Sequence, residues 1–298
     1  MEVKVFSSDN FLNAIESTIA KRMSCRSFSK TKFTSEDRVQ LQNFFKQTQN
    51  SPFSNFGSRF EIIELDNISE ETRGKLGTYG FIQGAHTFLI GIMNQMDFDH
   101  EHIGYTFEKL ILFVTYMGLG SCWLGGTFHR AAFTSIVALK ENETIPVISP
   151  IGLPAQDPSF RSKIIRWAAQ GAKRKSFSEL FFQDSWKKPL QPNFSDIYSK
   201  PLEMVRLAPS ASNRQPWRIL YNSETQIFHF FVEKDKKITH QIIKWPDFSR
   251  IDLGIAVCHF DLTVQSLGLK GRWTFLNEFP VYENLDYLIS WIPDRLVE

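Results

Sequence analysis

Apolar and polar positions change period several times along the chain, and each change predicts an element. Thr34, Ser35, Glu36 and Asp37 read as a helix N-terminus, with Thr34 as cap and carboxylates on the first turn. The helix they open is expected to run to about Gln49 and to bury Val39, Leu41, Phe44 and Phe45. Residues 59–65 alternate like a strand, while 86–92 and 146–151 have the continuous apolar character of buried strands. Between those two lies the clearest helix. Ile103, Phe107, Leu110, Ile111, Val114 and Met117 recur at helical spacing until Gly118 and Gly120 stop it.

The same order of elements then recurs. A helix is expected around 194–207, ending before Ala208 and Pro209, with strands at 217–221 and 226–232. A second long helix starts near Ser249, buries Ala256, Phe260, Val264 and Leu267, and stops at Gly268. Both long helices exit through Gly-Leu-x-x-x-Trp, at Gly118 to Trp123 and at Gly268 to Trp273, an offset of 268 − 118 = 150. Pro52, followed by Asn55, Arg59 and Phe60, faces Pro209, followed by Asn213, Trp217 and Arg218, at 209 − 52 = 157. Two matches in one order favour a duplicated α+β unit over chance likeness between amphipathic helices. Two related halves packed about a pseudo-twofold axis predict a monomer.

Composition narrows the functional classes. The 298 residues carry 34 basic and 32 acidic side chains, a net charge of +2, without the clustered basic surface that nucleic-acid binding needs. Residues 110–128 are uncharged, but glycine and hydroxyl residues fill their second half, so a buried helix entering a glycine loop fits better than a membrane span. Cys25, Cys122 and Cys258 have neither zinc spacing nor disulfide-scaffold density, which suits a reducing cytoplasm. The first residues show no signal-peptide pattern. His100 and His102, two apart among acidic residues, do not make a metal motif, and no P-loop or Gly-x-Gly-x-x-Gly occurs.

Two segments stand out chemically. Arg22, Ser24, Arg26 and Phe28 lie at a helix-to-loop junction, where two guanidinium groups four apart and a hydroxyl suit phosphate oxygens; a solvated basic turn is the plainer account. Pro209, Ser210, Ala211, Ser212, Asn213, Gln215 and Pro216 form a proline-bounded run of small hydroxyl and amide groups. Such a run suits a backbone lying against a planar polar ligand, or simply a turn-rich connection.

Together these segments resemble the nitroreductase family of FMN-dependent oxidoreductases. The first is similar to the family's Arg-x-Ser-x-Arg-x-Phe phosphate signature. The second is similar to its Pro-Ser-x-x-Asn-x-Gln-Pro-Trp signature, matched through Trp217. Ser121, Cys122, Trp123, Leu124, Gly125 and Gly126 resemble the loop over the flavin, and Lys173, Arg174 and Lys175 the closing basic segment. Tyr79, Gly80 and Gln83 sit where family members meet the pyrimidine edge. The resemblance implies a nitroreductase-like α+β fold and an NAD(P)H-dependent reaction. NADH or NADPH would pass hydride to flavin N5 and on to a nitroaromatic, quinone or similar small-molecule acceptor. Arg22, Arg26 and Arg174 would hold phosphate with Ser24. Residues 209–213 would contact the ring and ribityl chain, and 124–126 would lie near N5. No catalytic side chain is assigned.

Ordinary family members carry both signatures in one subunit. Here the first occurs only in residues 1–176, beside a decayed Asn50, Ser51, Pro52, Phe53, Ser54, Asn55, Phe56; the second occurs only in residues 177–298. The resemblance is therefore to a single-chain fused pseudo-dimer with one composite flavin site whose mate is lost. Gly120, Ser121, Cys122 and Trp123 with His259 also resemble a papain-like pair, but Cys122 would follow a helix C-terminus, which disfavours a thiolate. The alternative from another class is a flavin- or nucleotide-binding protein on the same fold without turnover.

Overall fold

The computed structural model describes residues 7–30, 33–47, 51–53, 58–67, 81–94, 96–155, 173–195, 197–234 and 246–294. Thr48, Gln49, Asn50, Ser54, Asn55, Phe56, Tyr79 and Gly80 lie outside them. The chain opens with helices α1 (Ser8–Asn13), α2 (Ile15–Lys21) and α3 (Ser35–Gln47). Strands β1 (Arg59–Glu64) and β2 (Thr87–Met93) lead into α4 (Asp99–Tyr116). They are followed by β3 (Gly120–Ser121), α5 (Arg130–Thr134) and β4 (Thr144–Gly152). The second half begins with α6 (Phe177–Leu180), β5 (Phe181–Gln183) and β6 (Ser185–Pro189). It continues with α7 (Ser199–Leu207), β7 (Trp217–Tyr221) and β8 (Phe228–Glu233), then α8 (Phe248–Ser266), β9 (Gly271–Thr274) and β10 (Leu285–Pro293).

The fold is α+β, with two sheets and their helices. One sheet has the order β1-β2-β4-β3, the other β6-β5-β7-β8-β10-β9. Without the β5–β6 pair the orders coincide, so helix, two strands, long helix, edge strand and central strand occur twice. The register coincides too. Ser121 faces Ile151 and Leu124 faces Ile148; Gly271 faces Pro293 and Thr274 faces Ser290. Both pairs are related by 150 on the edge strand (271 − 121, 274 − 124) and by 142 on the central strand (293 − 151, 290 − 148). Ile90 faces Ile148 and His229 faces Ser290, so Ile92 corresponds to Phe231, and Arg59, opposite Ile92, is the counterpart of Arg218, opposite Phe231, and not of Trp217.

The long helices α4 and α8 cross at their glycines. A Cβ built on Gly104 would lie closer than 3.0 Å to the Ile251 carbonyl oxygen, and one on Gly254 equally close to that of Glu101. Both offsets are again 150 (254 − 104, 251 − 101), so each helix presents the same patch to the other. That is the isologous contact of a twofold dimer within one chain. Around the crossing the core is continuous across the halves: Tyr105 donates to Asp261 Oδ2 at 2.6 Å, and Phe44 stacks on Phe113 within the first half, centroids 3.8 Å apart. The two exit tryptophans are satisfied alike, Trp123 Nε1–H by Glu108 (2.7 Å) and Trp273 Nε1–H by Asp261 (2.8 Å).

Several expected details shift. Val39 is half exposed because it stands two residues, about 200°, from Leu41 on a 3.6-residue helix whose Leu41 and Phe44 point inward. Leu267 is likewise exposed, lying past the last residue of α8. The helix expected from 194 begins at Ser199, after a loop in which Ser195 makes the turn bonds. The β5–β6 pair had no alternating signal; β6 is exposed along most of its length. Among the described residues no helix is long and apolar enough to cross a membrane, and residues 110–128 divide between α4, its exit and β3.

Candidate functional site

The Arg22 to Phe28 segment is extended and clipped between two loops. Ser24 bridges Ser121 in parallel, and Cys25 N–H donates to Ser121 O (2.7 Å). Gln83 N–H donates to Arg26 O, and Phe28 N–H to Gln83 O, each at 2.9 Å. The backbone thus brings Arg22, Ser24, Arg26, Gln83 and the 121–126 loop together. Ser24 and Arg26 reach the Cys122 thiol, which burial pushes up in pKa and Arg26 pulls partly back. Leu124 is buried, and its N–H and C=O both pair with Ile148 at 2.9 Å. Its amide is therefore spent within the sheet. Gly125 lies against the ring of Phe248, the first residue of α8, leaving no room for a Cβ.

The second arm is Arg174 with residues 209–215. Ser212, Asn213 and Gln215 all have positive φ (50°, 57° and 48°), a conformation that costs a non-glycine residue about 1 kcal/mol or more. Hydrogen bonds hold it. Arg174 Nη1 donates to Asn213 Oδ1 (2.6 Å), and its Nε and Nη2 donate to the Leu207 carbonyl (3.3 and 3.0 Å). Asn213 Nδ2 donates to Lys173 O (2.8 Å), Lys175 N–H to Gln215 Oε1 (2.7 Å), and Gln215 N–H to Ser210 Oγ (2.9 Å). Asn213 and Gln215 are thus committed to shaping the loop, while Pro209, Ser210, Ala211 and Ser212 stay partly or fully exposed on it.

The arms meet through charge. The Arg174 guanidinium is pushed down to about 10 by burial and by the neighbouring Arg22 and Arg206 charges, with Glu108 offsetting them in part. Arg22 Nε is buried and has no hydrogen-bond partner among the described residues. Two cations far apart in the sequence, one with an orphaned donor, fit an anion better than they fit each other. A phosphate group suits that donor set.

Two carboxylates that sequence reasoning missed, Asp252 and Glu108, brace the surroundings of these arms. Asp252, fully buried on α8, accepts the Ala211 N–H on both oxygens (2.9 and 3.1 Å); burial drives its carboxyl well above the usual range. Glu108 Oε1 is hydrogen-bonded to His259 Nε2 (2.9 Å), and His259 Nδ1–H donates to Met204 O (2.9 Å). A lone acid inside an apolar helical run was the available signal for both carboxylates. His259 is therefore a core residue, and burial raises the pKa of all three cysteines, against a thiolate nucleophile. Among the described residues no cluster of three or more potential ligands could hold a metal.

Comparison with known proteins agrees with this architecture. The family model described as "Putative TM nitroreductase" matches residues 14–264. A solved protein described as "a putative nitroreductase" from Thermotoga maritima MSB8 is similar at 19% identity and TM-score 0.55, over 93% of either chain. An FMN-dependent nitroreductase from Clostridium difficile R20291 is 18% identical (TM-score 0.39) over 47% of this chain and 87% of its own. A nitroreductase with bound FMN from Bacteroides fragilis NCTC 9343 is 16% identical (TM-score 0.35) over 48% of this chain and 89% of its own. No curated protein matches.

Proposed function

The chain belongs to the nitroreductase family, and on that premise we propose that it is an FMN-dependent oxidoreductase working with NADH or NADPH on nitroaromatic, quinone or similarly electron-poor acceptors. The observation that carries the reading is the convergence of Arg22 with Arg174, which Asn213 and Leu207 of the second half hold, with Arg22 Nε buried and unpartnered among the described residues. In this reading Arg22, Arg26 and Arg174 hold the phosphate and Ser24 adds a hydroxyl. Gln83 lies at the pyrimidine edge, residues 209–213 lie along the ring and ribityl chain, and Gly125 and Gly126 bring backbone near the reactive edge. When bound, FMN supplies the two-electron chemistry at N5. The protein supplies position. Asp252 fixes the backbone of the 209–213 loop, Arg174 ties that loop to the end of α7, and the α4–α8 crossing sets the distance between the arms. Division of the halves at 176/177, a monomeric state and a cytoplasmic setting complete the proposal.

The test is the visible spectrum of purified protein with released flavin counted, followed by NAD(P)H oxidation with menadione or a nitroaromatic acceptor. About one FMN per chain with turnover supports the reading. Bound FMN without turnover supports a binding protein on the same fold, and absence of flavin even after incubation with excess FMN rejects the assignment.

A further inference from the structure

We propose that Glu108 and His259 are positioning residues that hold the two arms of the site in one fixed relation. Their buried pair grips the 121–126 loop through Trp123 and, through Met204, the end of α7 from which the 208–213 loop departs. The proposal rests on the flavin reading for what the arms hold; the link between them stands on its own geometry.

Glu108 on α4 and His259 on α8 have no exposed side-chain surface. Glu108 Oε2 accepts the Trp123 indole N–H at 2.7 Å, and its Oε1 lies 2.9 Å from His259 Nε2. The other ring nitrogen, Nδ1, donates to the Met204 carbonyl at 2.9 Å, an oxygen that only accepts. A neutral ring with its one proton on Nδ1 would turn a lone pair toward the carboxylate. The Nε2···Oε1 bond therefore carries a proton of its own, and the pair is neutral as a unit. Such a network is rigid while complete, and removing either member leaves the other buried without its partner.

Met204 and Leu207 lie in the last turn of α7, whose final carbonyls have no partner within the helix. Ala208 N–H takes Val205 O, His259 takes Met204 O, and Arg174 Nε and Nη2 take Leu207 O. Donors from α8 and from residue 174 thus complete this helix end and fix the direction in which the chain leaves for Pro209. Glu108 also stands near enough to Arg174 to offset part of the charge that Arg22 and Arg206 place on it. A displacement of Glu108 is therefore felt at Trp123, at the end of α7 and at Arg174.

The other helix exit supplies an internal control. There Asp261 accepts from Trp273 Nε1 (2.8 Å), from the Tyr105 hydroxyl across the halves (2.6 Å) and from Gln265 Nε2 (2.6 Å), and none of these three belongs to either arm. The two networks are not copies of each other. At the offset of 150, Glu108 corresponds to Cys258 (258 − 108) and Asp261 to Ile111 (261 − 111), so the link into α7 belongs to the first exit.

The test compares amide hydrogen exchange of the ligand-free full chain, and FMN affinity by fluorescence titration, in wild type, Glu108→Leu, Glu108→Gln and Tyr105→Phe. Glu108→Leu removes both bonds. It is expected to speed exchange at 121–126 and at 208–213 together and to weaken FMN binding at least ~5-fold, the lower end of a coupling between sites. Glu108→Gln is expected to restore both properties, because its amide oxygen accepts from Trp123 and its amide N–H donates to His259 Nε2. Tyr105→Phe is expected to lower the melting temperature while leaving both segments and FMN affinity as in wild type. Faster exchange in only one segment overturns the proposal, as does a folded Glu108→Gln variant without rescue or a Tyr105→Phe variant that reproduces Glu108→Leu. If Glu108→Leu fails to fold, Glu108→Asp, too short to reach both partners, takes its place with the same two segments expected to respond. No FMN binding by the folded wild-type chain overturns the flavin reading instead, and the exchange comparison, which uses no ligand, still decides the link.

Discussion

The crossing of α4 and α8 is the joint on which a composite site depends, and it can be perturbed by one methyl group. Gly104→Ala places a Cβ against the Ile251 carbonyl, and Gly254→Ala places one against that of Glu101. In both cases the struck atom is backbone, so no side chain can swing away, and the helices must part. Overpacking of this kind costs about 1–3 kcal/mol. Glycine to alanine in an unobstructed helix gains up to about 1 kcal/mol from backbone entropy, so the sign of the effect is itself diagnostic. Each substitution is expected to lower the melting temperature by roughly 2–10 °C, read by thermal circular dichroism.

The two substitutions press on one crossing, so the displacement forced by the first relieves the second. The double variant is expected to be less destabilised than the summed single variants, by about 0.5 kcal/mol or more. FMN affinity should fall in all three, because α8 anchors the 209–213 loop through Asp252 while α4 leads into the 121–126 loop. A rise in melting temperature for either single variant would refute the close approach. Strict additivity would refute the reciprocal contact.

Three other perturbations probe the site's charges and strain. Arg22→Ala removes the cation that opposes Arg174, so the ligand-free chain should be as stable or more stable, while FMN affinity drops about 10-fold or more, the worth of a charge-assisted hydrogen bond; parallel losses of both would reject the phosphate role. Burial raises Glu101 from 4.5 to about 7 despite its ion pair with Arg250. The folded chain therefore holds a proton that the unfolded chain has lost over that interval. Stability from this group is full below about pH 4.5 and falls as pH rises to about 7; urea midpoints of Glu101→Gln should lack this decline. Asn213→Ala strips partners from Arg174, Lys173 and Gln215 around three positive-φ residues, and amide exchange at 209–215 should accelerate while α4 and α8 stay protected.

Much of the fold was legible because both long helices carry dense apolar stripes ending in glycines with positive φ, 83° at Gly118 and 69° at Gly268. The duplication was visible at those exits. Asp97-Phe98, repeated at Asp247-Phe248 with the same offset, was a second signal that went unused. Packing directions were less legible: Val39 is apolar but points away from the core, because composition does not record helical phase. The β5–β6 pair escaped because its exposed strand has no inward face to alternate against. For the site, the residue set came from motif resemblance and its partition came from the structure. Leu124 shows the difference. Its amide is consumed by Ile148, a pairing between residues 24 apart that no local pattern encodes.

Joining two halves in one chain changes what a substitution can do. In a twofold homodimer an arginine pair cannot be lost from one half alone. Once the two halves are encoded separately, the constraint is lifted. The shared crossing is different, because Gly104 and Gly254 each face the other's helix and neither can change without cost to the joint. That predicts where asymmetry accumulates. The crossing glycines, the exit tryptophans and the edge-strand register remain paired at an offset of 150, while Gly125 and Phe275, and Asp252 and His102, have diverged. The symmetric features hold the halves together; the asymmetric ones lie in and beside the segments proposed to hold the flavin.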